Sequence, residues 1–211
     1  MRPDVGQGGQ QERSFIEKAR RAQIIEAAVA VIAEVGFAKA SLARIAQHAG
    51  ISKGVISYHF AGKDELIEQV VEQIYLSATD YVVPRIMGES TAADMLRAHI
   101  LSVAEFMRGH RSHLRALSEI FVNFRTADGS PRYGIAASEE IYTGLEDLFR
   151  GGQAKGEFRE FDTRVMAVSL QASIDSMFAY WVAYPDHNLE AHARELADIF
   201  HHATRAERPA D

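Results

Sequence analysis

The segment SLARIAQHAGISKGVISYHFAGKDEL, residues 41–66, constrains this chain more than any other part of it. Apolar residues recur at helical spacing before Gly50 and again after it. Ser41 and Ser52 stand where helix N-caps are expected, and Gly50 has the backbone freedom that a tight interhelical turn needs. The segment therefore predicts a helix-turn-helix.

The second helix of this motif is predicted to have an apolar side and a polar side. Val55, Ile56 and Phe60 are spaced to anchor it. Its other side carries hydrogen-bond donors of the kind that read a DNA major groove: Lys53, Ser57, Tyr58 and His59.

The segment resembles the DNA-binding domain of TetR-type transcriptional regulators. The resemblance covers roughly residues 19–71. At one position the family pattern has Tyr, whereas this chain has Ser57 with Tyr58 one place later. The residues that match the pattern are Ser41, Ile45, Ala46, Ala49, Gly50, Ile51, Ser52, Gly54, Phe60, Lys63 and Leu66.

The resemblance implies an all-α fold and a function. We expect a disordered arm over residues 1–13, a three-helix, homeodomain-like helix-turn-helix domain over 14–62, and a larger helical effector-binding and dimerisation domain over 63–211. A protein of this kind is expected to be a cytoplasmic homodimer that represses transcription from a palindromic operator in double-stranded DNA. A small-molecule effector would release it.

The predicted DNA contacts divide into base contacts and phosphate contacts. Lys53 would reach a guanine edge or a phosphate, Gly54 would let the backbone approach the DNA, and Val55 would touch a thymine methyl group. Ser52, at the start of the same helix, and Ser57 on it are also expected to contact DNA. The residues expected to hold phosphates are Ser41, Arg44, Tyr58, His59 and Lys63.

The distribution of charge agrees with this prediction although the formal net charge is −6. Residues 1–60 contain eight Lys and Arg against five Asp and Glu, whereas the remainder contains fifteen against twenty-four. A basic motif region attracts phosphates, and an acidic remainder disfavours indiscriminate DNA wrapping.

Helical periodicity runs through almost the whole chain, and no alternating strand pattern competes with it. Breaks are predicted at Gly36, Pro84, Gly109, the Gly151-Gly152 pair and Pro185. The predicted helices cover residues 17–35, 64–83, 92–108, 112–125, 133–150, 162–184 and 189–205.

The later helices are rich in large apolar residues, which leaves two interpretations open. The residues pack a core, or they line a pocket for an apolar or aromatic effector. The pocket would contain Phe106, Phe121, Phe124, Tyr142, Met177 and Trp181, with Asn123, Gln171, Asp175 or His113 as orienting polar groups.

The last two predicted helices have apolar faces that also allow two interpretations. They cover the core, or they pair with a second copy in a four-helix dimer interface, as the resemblance implies. We favour the interface. The residues concerned are Ala167, Leu170, Ile174, Met177, Phe178 and Trp181, followed by Leu196, Ile199, Phe200 and Ala203.

Other functions have weaker support. His110 and His113 are spaced to share a metal, but no third ligand is evident, so neither a metal nor a cofactor is expected. The chain has no cysteine, no hydrolase or metalloprotease motif and no apolar run of membrane-spanning length. A constitutive or architectural DNA-binding protein without an effector is the main alternative, and a helical enzyme a more distant one.

Overall fold

A computed structural model describes residues 6–206, and every regular element in that range is helical. Two isolated β-bridges, Arg125 with Pro131 and Phe158 with Arg205, are the only strand-like pairings there. The all-α fold is thus confirmed. The helices are α1 (Gly6–Val35), α2 (Leu42–His48), α3 (Lys53–His59), α4 (Lys63–Met87), α5 (Ala92–Arg108), α6 (Arg111–Asn123), α7 (Glu139–Ala154), α8 (Thr163–Ala183) and α9 (Leu189–Thr204), with a 3-10 helix at Ile135–Ser138 before α7.

The predicted helix bounds agree best where a cap or a stop fixes them. Helix α5 begins and ends as predicted, and Gly36 ends α1 with a φ of 82°. Helix α1, however, begins at Gly6 instead of residue 17. Residues 6–13, predicted as part of a disordered arm, are thus included in α1. The disorder of the arm stays a prediction. Residues 1–5 lie outside the described part.

Two predicted breaks do not end their helices. Pro84 lies in the last turn of α4, where a missing N–H costs one hydrogen bond, and the helix continues to Met87. The Gly151-Gly152 pair lies inside α7. Gly152 is buried because the Phe158 ring packs where its Cβ would be, so this glycine permits close packing and does not stop the helix.

The described chain divides into two compact units. The first contains α1 to α3, the start of α4 as far as Ile74, and residues 115–123 of α6. The second contains residues 75–114 and everything from Phe124 onward. Helices α4 and α6 therefore each contribute residues to both units. The predicted domain limit between residues 62 and 63 stays a prediction.

The apolar faces of α8 and α9 mostly cover the core of the second unit. Met177 and Phe200 belong to that core, in which Met177 is fully buried. Placing Phe200 in a dimer interface was therefore wrong: its side chain fills the unit's own interior. Ile199, its neighbour, is 58% exposed and points away from that core. Within residues 6–206, no helix is both long enough and apolar enough to cross a bilayer.

His99 in α5 carries a buried polar atom without a partner. Its Nε2 has no hydrogen bond in the described part of the chain, and burial lowers the pKa of this side chain to about 4. The imidazole is therefore neutral in the folded protein. In the unfolded chain it takes up a proton near its ordinary pKa of about 6.5.

We predict that this histidine makes the protein less stable at acid pH. Because the folded pKa is depressed, the stability is constant above the unfolded pKa and falls between about pH 6.5 and about pH 4. Relative to His99→Leu, the wild type should lose about 2 kcal/mol of unfolding free energy between about pH 7.5 and about pH 5. Urea titrations at both pH values measure this difference.

His48→Leu is the matched control, since His48 is exposed at the end of α2. That variant should keep the pH dependence of the wild type. Coincident pH profiles for the wild type and His99→Leu would show that His99 is not buried in its neutral form.

Candidate nucleic-acid interface

Helix α2 is capped and anchored as the sequence indicates. The hydroxyl oxygen of Ser41 accepts a hydrogen bond from the backbone N–H of Arg44 at 3.3 Å. Ile45 and Ala46 are buried, whereas Ser41 and Arg44 are exposed. Ser41 thus satisfies a free helix N–H, and the guanidinium of Arg44 remains accessible to a phosphate.

The turn between α2 and α3 uses the left-handed backbone region. Gly50 has a φ of 67°, which L side chains rarely adopt. The N–H of Ile51 donates to the carbonyl oxygen of Ala46 at 3.0 Å, and the Gln23 amide in α1 donates to the Ala49 carbonyl at 2.9 Å. These bonds fix the direction in which the chain enters α3.

Helix α3 presents its polar residues on one face. The hydroxyl oxygen of Ser52 accepts from the Val55 N–H at 3.4 Å, and Ile56 and Phe60 are buried beneath the helix. Val55 and His59 are half-buried. The residues left exposed are Ser52, Lys53, Gly54, Ser57 and Tyr58.

Tyr58 is the most prominent of these exposed residues. Its side chain is 75% exposed, and its hydroxyl lies 3.4 Å from a carboxylate oxygen of Glu17 in α1. The edge of its ring meets the His59 ring, with 5.0 Å between centroids. A phenol held at the edge of α3 is a suitable phosphate donor. Its contact with DNA stays a prediction.

Arg21 holds the end of α3 in place, a role that sequence reasoning missed. Its guanidinium donates to the carbonyl oxygen of His59 and lies 4.3 Å from the centroid of the Phe60 ring. It also donates to Gln69 in α4 at 3.2 Å and pairs with Glu65 at 4.0 Å. One side chain of α1 therefore joins the last turn of α3 to α4.

Lys63 was predicted to hold a phosphate, but the structure gives it an internal partner. Its ammonium donates to the carbonyl oxygen of Phe37 at 2.7 Å and lies 4.2 Å from the centroid of the Phe37 ring. Burial lowers the pKa of Lys63, while nearby Asp64 opposes that shift. A carbonyl at the end of α1 thus occupies part of its hydrogen-bonding capacity.

Glu119 of α6 also bonds to Phe37. Its carboxylate accepts from the Phe37 N–H at 3.0 Å, and a Cβ on Gly36 would lie 3.1 Å from that carboxylate oxygen. Phe37 therefore contacts the start of α4 through its carbonyl and α6 through its N–H. The 82-residue separation between Phe37 and Glu119 hides this bond from sequence patterns.

Most of the residues predicted to line an effector pocket are buried in the second unit. Phe106, Met177 and Trp181 belong to its core, and Phe124 and Tyr142 are buried as well. The exception is Phe121, which is half-buried and belongs to the first unit. Whether these side chains contact an effector stays a prediction.

The histidines considered as metal ligands have other contacts. His110 stacks on Phe106, with 4.1 Å between ring centroids, and its Nδ1 lies 2.6 Å from the Phe106 carbonyl oxygen. His113 meets the edge of the His110 ring. Over residues 6–206, no three His, Cys, Asp or Glu side chains come together as a metal site would require.

These features define a DNA-binding protein of the helix-turn-helix class, because α3 is capped, anchored from below and exposed along a donor-bearing face. Residues 24–70 match the family model for bacterial regulatory proteins of the tetR family. The chain is also 44% identical over 189 residues to the HTH-type transcriptional regulator BetI 2 of Chromohalobacter salexigens, covering 88% of each protein. The chain belongs to the TetR family of transcriptional regulators.

Solved structures of other transcriptional regulators share the fold. The transcriptional regulator FadR from Bacillus subtilis, in complex with stearoyl-CoA, superimposes with a TM-score of 0.72 at 22% identity, over 84% of this chain and 96% of its own. A transcriptional regulator from Saccharomonospora viridis, in complex with choline, also gives 0.72, at 23% identity over 90% of this chain and 100% of its own.

We predict that Lys53 contacts a DNA base and so contributes to recognition of the operator sequence. Lys53→Ala should weaken binding to the preferred duplex by about 1–3 kcal/mol and relax the preference at one base step, because a good base contact discriminates by about that amount. Fluorescence anisotropy with single-base variants of a duplex selected from a random pool measures both effects.

Lys155→Ala is the matched control, since it removes the same charge from an exposed position at the end of α7. It should leave the base preference intact. An unchanged base preference in Lys53→Ala would mean that Lys53 does not read DNA bases.

Proposed function

We propose that the protein is a cytoplasmic, homodimeric repressor that binds a palindromic operator and leaves it when a small molecule binds the second unit. The exposed donor face of α3 is the observation that carries this proposal. A helix of this kind reads one half-site, and a two-fold dimer presents two such helices to half-sites about one DNA turn apart.

Exposed apolar side chains on α8 and α9 support the proposed dimer. Ile199 is 58% exposed on α9. A monomer that leaves several large apolar groups on two neighbouring helices has a surface suited to a partner. On α8 and just beyond its end, the exposed large residues are Val165, Val168, Tyr180 and Tyr184.

The route by which an effector would act runs through α4 and α6. Both helices contribute residues to each unit, and in the first unit both are bonded to Phe37, by Lys63 and by Glu119. A displacement of either helix would pull on the end of α1. Because Arg21 of α1 holds α3, such a pull would change the spacing of the two recognition helices.

The ligands of the structural relatives support a small-molecule effector without identifying it. One relative was crystallised with choline and another with stearoyl-CoA, which differ in size and charge. A constitutive regulator without an effector remains the second candidate. Phe106, Met177 and Trp181 pack in the core, and side chains that fill a core leave no pocket between them. Release of the operator by a ligand distinguishes the two.

We predict that Ile199→Glu yields monomers. A carboxylate there would be desolvated in the interface, so the two protomers should separate in sedimentation velocity. Operator affinity should fall by about 100-fold or more, since the second half-site no longer adds to binding. Phe200→Glu would not test this, because Phe200 is a core residue.

Met87→Glu is the matched control, as Met87 is 70% exposed at the end of α4. It should remain dimeric and bind the operator like the wild type. A dimer that persists in Ile199→Glu would place the interface elsewhere.

A further inference from the structure

Arg20 lies on the face of α1 that contacts α3 and the turn before it. Three residues earlier, Glu17 accepts a hydrogen bond from the hydroxyl of Tyr58, near the end of α3, at 3.4 Å. Three residues later, the Gln23 amide donates to the carbonyl oxygen of Ala49, in the turn that precedes α3, at 2.9 Å. Residues three apart lie on one face of a helix. Arg20 is therefore placed between two contacts that reach opposite ends of α3.

The guanidinium of Arg20 has a fixed orientation and no countercharge. Its Nη1 donates to Oε1 of Gln23 at 2.6 Å. Because the amide nitrogen of Gln23 donates to Ala49, the oxygen of the same amide is left to face Arg20. Among the described residues, no aspartate or glutamate forms an ion pair with this half-buried arginine. A neutral amide orients the guanidinium and leaves its charge uncompensated.

Arg21, the next residue, differs in both respects. Its guanidinium donates to the carbonyl oxygen of His59 and to Gln69, and it lies 4.0 Å from a carboxylate oxygen of Glu65. Its donors are thus used inside the first unit, and a carboxylate opposes its charge. Arg20 uses one of its five N–H groups in its bond to an amide, so it keeps donors for a ligand.

The position and charge of Arg20 suit a phosphate of DNA. When the second helix of a helix-turn-helix enters the major groove, the elements beside it meet the sugar-phosphate backbone. An arginine with unused donors is well suited to phosphate oxygens. Residues 17–21 contain three basic side chains against one acidic one, so the local field also attracts an anion.

We propose that Arg20 binds a phosphate of the operator backbone and that Gln23 is the positioning residue that orients it. This inference rests on the proposed function and adds a contact from α1 to those expected from residues 41–66. A phosphate contact fixes the protein on the duplex without reading its sequence. Arg20 therefore strengthens binding to every duplex alike, whereas a base contact would favour one sequence.

The salt dependence of binding by Arg20→Met tests this contact. Methionine keeps an apolar side chain and removes the charge. Affinity for a duplex selected from a random pool should fall by about tenfold at about 0.1 M salt, and the slope of log affinity against log salt concentration should decrease by about one for each protomer. The base preference should not change. A wild-type slope in Arg20→Met, measured by anisotropy titrations at several salt concentrations, would overturn the proposal.

Arg115→Met is the matched control. Arg115 is an exposed residue of α6, one turn before Glu119, which bonds to Phe37 beyond the end of α1. Phe37 follows Arg20 by 17 residues, a helix length of about 25 Å. Arg115→Met removes the same charge and should keep the affinity and the salt slope of the wild type.

Arg20→Lys distinguishes the charge of the side chain from its packing. Lysine binds phosphate as a point charge, so this variant should keep the wild-type slope even though it loses the orienting bond to Gln23. A slope reduced as far as in Arg20→Met would show that the charge at this position does not bind phosphate. Thermal melts followed by circular dichroism establish that each variant is folded.

Two substitutions of Gln23 test its positioning role. Gln23→Glu and Gln23→Met both lose the bond to Ala49, but only the glutamate places a carboxylate against Arg20 and neutralises it. The salt slope should therefore fall in Gln23→Glu and stay close to that of the wild type in Gln23→Met. Equal slopes in the two variants would overturn the role of Gln23.

Binding by the wild type separates this inference from the proposed function. If the full-length wild type binds no selected duplex, the proposed function fails. If it binds a selected duplex and Arg20→Met keeps both the affinity and the slope, only the present inference fails.

Discussion

The hydrogen bond from Arg21 to the His59 carbonyl holds the last turn of α3 in place. Helix α3 has seven residues, which is too short for a helix to be stable in water by itself. Ile56 and Phe60 anchor it from below by their burial. The guanidinium of Arg21 bonds to both the last turn of α3 and α4, so it ties the end of α3 to α4.

A similar arrangement at Phe37 joins the start of α4 and part of α6 within the first unit. The Phe37 backbone bonds to Lys63 through its carbonyl and to Glu119 through its N–H. These bonds involve charged side chains, which make stronger hydrogen bonds than neutral groups do. Movement of α4 or α6 would therefore have to move the end of α1 or break a charge-assisted bond. Only a displaced α1 would in turn move α3, through Arg21.

Local chemistry explains which features were predictable. Ser41 and Ser52 cap their helices and Gly50 makes the turn because each acts on its immediate neighbours. The predicted stop at Gly151-Gly152 was wrong. A glycine is needed at position 152 because the Phe158 ring packs against it, and not because the helix ends there. A glycine in a sequence can mark the end of a helix or a tightly packed position, and the sequence alone does not distinguish the two.

Features that join distant parts of the chain could not be predicted in this way. Lys63 was expected to bind phosphate, and the structure bonds it to a residue 26 positions away. No spacing rule relates Arg21 to His59, because they lie on different helices and are 38 positions apart.

The salt dependence of operator binding by Arg21→Met tests most directly whether Arg21 orients α3. If it does, affinity falls, but the slope of log affinity against log salt concentration stays that of the wild type, since no phosphate contact is lost. Anisotropy titrations of one selected duplex at several salt concentrations give both quantities. Unchanged affinity, or a slope reduced by about one as expected for a lost phosphate contact, would contradict the account.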